Sequence, residues 1–204
     1  MQNVFLLEPT TTVQSDASYI ASYPHLVEYF SDKAKISPGD VVRAAHMAYG
    51  WMPTILDLYP ASNKLDLASA SMLLTKARDK GFLQPAEISA LAGLVNNSLV
   101  GASKLLHFVA PNSFAIWDSK VYSFVHEKPP YHHRVNAVDA YVAYLELLAQ
   151  LAARQEFGNF HASIQQKIGY AVSPFRALEL VMYLNAPAMR ANNSFKPKPL
   201  RGSA

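Results

Sequence analysis

Residues 100–125 read VGASKLLHFVAPNSFAIWDSKVYSFV, and the spacing of the apolar side chains along them decides the fold class. From Gly101 to Val109 the apolar residues Leu105, Leu106, Phe108 and Val109 follow the three-and-four period of a helix, without the alternation a half-buried strand requires. Pro111 and Asn112 then turn the chain, and Phe114, Ile116 and Trp117 bring it back to the core. Asp118 comes next. Aspartate is among the best N-caps and the helix dipole favours a negative charge there, so a second helix is expected from Asp118 to His126.

The same punctuation recurs on both sides. Ser37 as N-cap, Pro38 at the first helical position and Asp40 in the first turn open a helix that ends near Gly50. Leu67, Ala70, Leu74 and Ala77 line one face of a helix that stops at Gly81. Another begins at Pro85 and ends at the polar pair Asn96 and Asn97, and the last opens at Ser173 and Pro174. A helix over Ala17–Phe30 is bent or split by Pro24, a long apolar one covers Val138–Glu156, and Pro129 and Pro130 hold PPYHHRVN (129–136) in a loop. The expected fold is all-α, a bundle of roughly eight helices in one lobe or two around the 100–125 motif.

The chain has 204 residues, half of them apolar, which suits one domain with a substantial core. That domain is assigned to residues 17–188, with 1–16 as an N-terminal extension. Residues 189–204, rich in Asn, Pro and basic side chains, have little to bury and are expected to form a disordered tail.

Composition removes several function classes. No cysteine is present, so a disulfide framework, a thiolate nucleophile and a Cys-ligated zinc site are all excluded, in keeping with a reducing, cytoplasmic setting. No run of roughly 18 apolar residues is available to span a bilayer, and the N-terminus lacks a basic signal region. The net charge of +3 includes Arg190, Lys196, Lys198 and Arg201 of the tail, and without those four the body carries −1. Net charge therefore does not argue that the body binds nucleic acid. Phosphate-loop, dinucleotide, zinc-protease, nucleophile-elbow and kinase signatures are absent, so no cofactor is expected. His132 and His133 are adjacent in a proline-bounded loop without the spacing that lets two imidazoles converge on a metal, and they read as solvated.

The polar residues of the opening stretch are the candidates for chemistry. One helix through Gly101–Val109 puts Lys104 and His107 three residues apart on a shared face, with Ser103 one turn before His107. Asp118 is flanked by Ile116 and Trp117, where desolvation gives a nearby lysine or histidine real weight as a partner. Arg176 with Glu179, and Arg43 with His46, are one turn apart and read as surface pairs. Trp51, Phe114, Tyr122 and Tyr131 are aromatic candidates for base stacking, although side chains at helical spacing belong more often to the core.

The order GLVNNSLVGASKLLHF…AIWDSKV, about Leu91 to Val125, resembles the helix-hairpin-helix DNA glycosylase superfamily. In that family a glycine hairpin leads into a helix bearing a catalytic lysine in the bifunctional members, and a catalytic aspartate starts the next helix. The resemblance implies an all-α body, DNA as partner and base excision as activity. It implies Lys104 as nucleophile, Asp118 as its activating carboxylate, His107 as alternative acid or base, and Gly101 and Ser103 as DNA-binding positions at the hairpin and helix start. Leu99 stands where the family's first hairpin glycine falls. Ser103 takes the usual lysine position, which leaves Lys104 displaced by about 100° around the helix. The same residues also fit an uncharacterised bacterial helical family, or a noncatalytic interaction or regulatory module in which they are core and caps.

Overall fold

The computed structural model describes residues 2–31, 33–51, 55–58 and 65–188. The chain is all-helical among these residues, with a single isolated bridge between Leu58 and Val95. The helices are α1 (Val4–Leu7), α2 (Ser18–Ala21), α3 (Tyr23–Ser31), α4 (Pro38–Gly50), α5 (Leu67–Lys80) and α6 (Pro85–Leu94). They continue as α7 (Leu99–Val109), α8 (Ser119–His126), α9 (His132–Val135), α10 (Val138–Ala152), α11 (Phe157–Ile168) and α12 (Pro174–Leu184). No helix of the described residues is long and apolar enough to cross a membrane.

The capping chemistry acts as the sequence implies. Ser37 and Asp40 form a reciprocal capping box at the start of α4, Ser173 accepts the Arg176 N–H at 3.1 Å, and Asp118 accepts the Val121 N–H at 2.9 Å. Gly81 closes α5 in the left-handed region at φ 64°, and a Cβ there would lie 2.6 Å from Ser113 Oγ. Both the backbone and the space demand glycine.

The helix count exceeds the roughly eight expected, for local reasons. The helix at 17–30 is broken into α2 and α3 at Ser22, one residue before the Tyr23–Pro24 start. The loop at 129–136 contains the single turn α9. The long helix ends at Ala152 rather than Glu156, and α11 follows it unanticipated. Residues before Ala17 are no loose extension: Val4 is fully buried, Phe5 packs edge-on against Phe160 at 5.3 Å, and Lys167 pairs with Glu8 at 2.6 Å. The tail assignment, 189–204, lies outside the described residues.

Helix α7 is the axis of the bundle. Every residue from Gly101 to Val109 is buried, with α3, α4, α5 and α6 packed around it. A helix apolar on all sides must be covered on all sides, so its few polar residues are buried with it. Helix α12 is the second such element, with Phe175 through Met182 buried against α8, α10, α11 and α1.

Candidate functional site

The turn between α6 and α7 is built from asparagine rather than glycine. Asn96 and Asn97 occupy the left-handed region at φ 56° and 49°, which asparagine tolerates better than most residues. Ser98 then caps α7. The amides around this turn are committed internally: Leu99 N–H donates to Asn136 Oδ1 at 2.8 Å, and Gly101 N–H to Ser98 Oγ at 3.3 Å. Gly101 is buried inside the helix, where a Cβ would fall 2.5 Å from Tyr49 Oη. Its role is to admit Tyr49 against α7, which corrects its assignment as a DNA contact. Gly101→Ala should therefore destabilise the fold by about 1–3 kcal/mol through overpacking, read as a drop in the chemical-denaturation midpoint; an unchanged midpoint would mean that Tyr49 moves aside freely.

Ser103 is likewise corrected. It is fully buried; its hydroxyl accepts the Trp117 N–H at 3.1 Å and sits 2.9 Å from the Val100 carbonyl, which it can donate to. It fastens the 114–117 segment to α7 and has no path to a phosphate. Trp117 is locked further by its indole N–H, which donates to the Val135 carbonyl at 2.8 Å.

His107 departs from its assigned role as acid or base. Its exposure is zero, and both ring nitrogens are engaged, Nδ1 with the Phe114 carbonyl and Nε2 with Tyr23 Oη, each at 2.7 Å. A carbonyl only accepts, so Nδ1 carries the proton and Nε2 accepts from the tyrosine. Burial pushes the imidazole down to about 3, so the ring is neutral at pH 7. Nothing is left to exchange a proton with a ligand, and His107 is a core crosslink between α7, α3 and the 114–117 segment.

Lys104 is different. The one-residue displacement that separates it from Ser103 turns it away from Trp117 and over the Trp51 ring, 5.5 Å from the centroid. It is 8% exposed. No carboxylate among the described residues makes ion-pair contact with it. Burial pushes its amine down to about 8, against the pull of Asp118 and Glu179 and with help from the positive charge of Arg176. At pH 7 about one such amine in ten is uncharged, far more than for an ordinary lysine.

Asp118 is half-buried at the head of α8. Its Oδ1 is held by the Val121 cap bond, and its charge favours the protonated Lys104 more than that of Glu179 does. Cap and partner thus coexist in one side chain.

The residues that sequence reasoning misplaced are Arg176 and Glu179. They form a direct ion pair on α12, and their exposures are 3% and 1%. The guanidinium lies 4.8 Å from the Tyr23 ring centroid and 5.6 Å from that of Trp51, the ring that Lys104 also faces. Burial pushes Glu179 up to about 7 while Arg176 pulls it back. Arg176 Nη2 and Tyr144 Oη are buried without a hydrogen-bond partner among the described residues. The signal was present in SPFRALELVMYL: a helix without a polar face has no exposed side on which to put its two charges.

Among the aromatic candidates, Phe114 and Tyr122 are core residues, while Trp51 and Tyr131 are half-exposed. Trp51, its indole N–H donating to the Tyr19 carbonyl at 3.2 Å, also lines an open groove of about 460 Å³ with Tyr19, Met47 and Leu26. Among the described residues no cluster of three or more His, Asp or Glu could hold a metal ion. Lys104 and Arg176 thus share the Trp51 ring, with Glu179 paired to Arg176, while Asp118 acts on Lys104 only through its charge, and Gly101, Ser103 and His107 are buried in the packing of α7. No protein-family model, no curated protein and no solved structure matches this chain.

Proposed function

We propose that the protein acts on DNA as a base-excision glycosylase of the lysine-nucleophile type, with Lys104 and Asp118 as its reacting pair. The observation that carries this reading is a nearly buried lysine over the Trp51 ring, without an ion-pair partner among the described residues, easily discharged, and under the pull of a carboxylate at a helix start. A lysine that served only the core would be closed into an ion pair or extended to solvent.

The chemistry follows from these two groups. With the target nucleotide turned out of the duplex, the uncharged Lys104 amine attacks the sugar C1′. The bond from C1′ to the base nitrogen breaks, and the base leaves with the bonding electrons and takes up a proton. Loss of the amine proton and opening of the sugar ring then give an imine between Lys104 and C1′. The Asp118 carboxylate stabilises the positive charge that builds on the sugar as the base departs. Trp51, whose ring Lys104 faces, also lines the groove of about 460 Å³ with Tyr19.

Duplexes carrying abasic sites and oxidised, deaminated or alkylated bases, incubated with the protein and borohydride, should give a covalent adduct on at least one substrate. Lys104→Ala should abolish the adduct. Asp118→Asn keeps a good N-cap and should leave the fold intact while reducing base release by about 10²-fold or more. Full activity in Asp118→Asn would remove the carboxylate from the mechanism. An absence of base release, nicking and adduct across the panel would favour the noncatalytic helical module instead.

A further inference from the structure

Two positive groups, Lys104 and Arg176, face the same Trp51 ring from 5.5 and 5.6 Å, yet one of the two nearby carboxylates is spent on Arg176 alone. Glu179 pairs with Arg176 in direct contact, and Lys104 has no such contact among the described residues. Burying an ion pair this deeply is no efficient way to stabilise a core, since apolar residues of similar volume commonly do as well or better. Arg176 is not even fully satisfied, because its Nη2 lacks a partner among the described residues. The arrangement calls for a reason other than stability.

We propose that Arg176 is a positioning residue for Lys104: by holding Glu179 in an ion pair, it keeps that carboxylate from closing onto the lysine and leaves the amine free to react. This inference rests on the reading of Lys104 as a nucleophile and adds the device that keeps it available. The cluster is small enough to enumerate. Lys104 on α7 is faced by Asp118 at the head of α8 and by Arg176 and Glu179 on α12. Around those stand Tyr23 of α3 and Tyr170 beside Arg176, Tyr144 of α10 beside Glu179 and Asp118, and the neutral His107 on α7 itself. Apart from Glu179 and Asp118, every one of these groups is cationic or uncharged at neutral pH. Glu179 and Asp118 are therefore the two carboxylates that can attract Lys104, and Arg176 is what occupies the fully buried one.

The lysine can be followed without DNA, through the ¹³Cε resonance of Lys104 in the full-length protein labelled with ¹³C-lysine, assigned by its loss in Lys104→Met. Wild type should titrate well below an ordinary lysine. Arg176→Met also removes a cation that lowers the Lys104 midpoint, so capture is read against Arg176→Met with Glu179→Gln: if the released Glu179 pairs with Lys104, the single variant should titrate about one pH unit or more above the double. The borohydride-trapping rate at pH 7 should then fall about tenfold and recover at higher pH, with Arg176→Lys restoring part of it. A general loss of packing would instead lower the trapping rate at every pH without moving the midpoint.

A folded Arg176→Met protein whose Lys104 midpoint does not exceed that of the double variant overturns the proposal. If that variant does not fold, the apolar double replacement Arg176→Met with Glu179→Met takes its place. With Glu179 removed, Lys104 should titrate at or below the wild-type midpoint, and a higher midpoint overturns the proposal. Shifted midpoints together with no trapped imine on any duplex would sink the glycosylase reading while leaving the charge arrangement intact.

Discussion

Lys104→Met should give a protein that melts higher than the wild type and forms no imine at all. The wild-type ammonium is almost buried and lacks a contact partner among the described residues, so folding with the charge in place costs free energy. At pH 7 that cost is on the order of 2–3 kcal/mol, and methionine keeps the length and apolar stem of lysine without it. The gain should appear as a rise of several degrees in Tm, at roughly 2–4 °C per kcal/mol for a chain of this size.

Its pH dependence has a definite sign. Below pH 8 the lysine is charged in folded and unfolded chains alike, and the full cost applies. Between pH 8 and the ordinary lysine value near 10.5 the folded chain gives up the proton first, so wild-type stability climbs with pH and the advantage of the variant shrinks. A variant that melts lower than the wild type at pH 7 would show that Lys104 supports the fold, which is the opposite of a group held at a cost for its chemistry.

Trp117→Ala should cause the largest loss of stability of any single change, about 3–5 kcal/mol. The indole is fully buried, lies 4.9 Å from the Tyr144 ring and 5.8 Å from the Tyr122 ring, and bonds to the Val135 carbonyl. Truncation empties the space between α7, α8 and α10 and orphans that carbonyl. Thermal unfolding should drop on the order of 10 °C. A loss under about 1 kcal/mol would mean that the neighbouring tyrosines collapse into the cavity.

The parts of the fold that could be read in the sequence are those in which one residue has one local job. Ser37, Gly81, Asp118 and Ser173 end or start helices through bonds to backbone three or four residues away, and each does so in the structure. Helix α11 was harder to see. Phe157, Phe160, Ile164 and Ile168 keep the helical spacing, but Gly158, Asn159 and the paired glutamines dilute the stripe. In the site, the pull of Asp118 on Lys104 is in keeping with the short 110–117 connection. Arg176 did not, because pairing at i and i+3 looks the same on a solvated face and in a core; only the surroundings supplied by α3, α4 and α10 distinguish them. His107 and Ser103 were misassigned for the same reason: their partners Tyr23, Phe114 and Trp117 are named by the tertiary fold rather than by spacing.

The N-terminal turn closes against the other end of the chain: Ser163 and Lys167 bond to Glu8, and Asn185 donates to Thr11, across 155 to 174 residues of sequence. During synthesis on the ribosome these first residues emerge long before the groups that hold them. Glu8 must wait through the synthesis of 155 further residues for Ser163. Helix α12, which brings Arg176 and Glu179 under Lys104, is made in the same late interval. The charged surroundings of Lys104 are thus completed only when α12 joins α7, and a ribosome-bound chain that stops short of α12 carries Lys104 without Arg176 and Glu179.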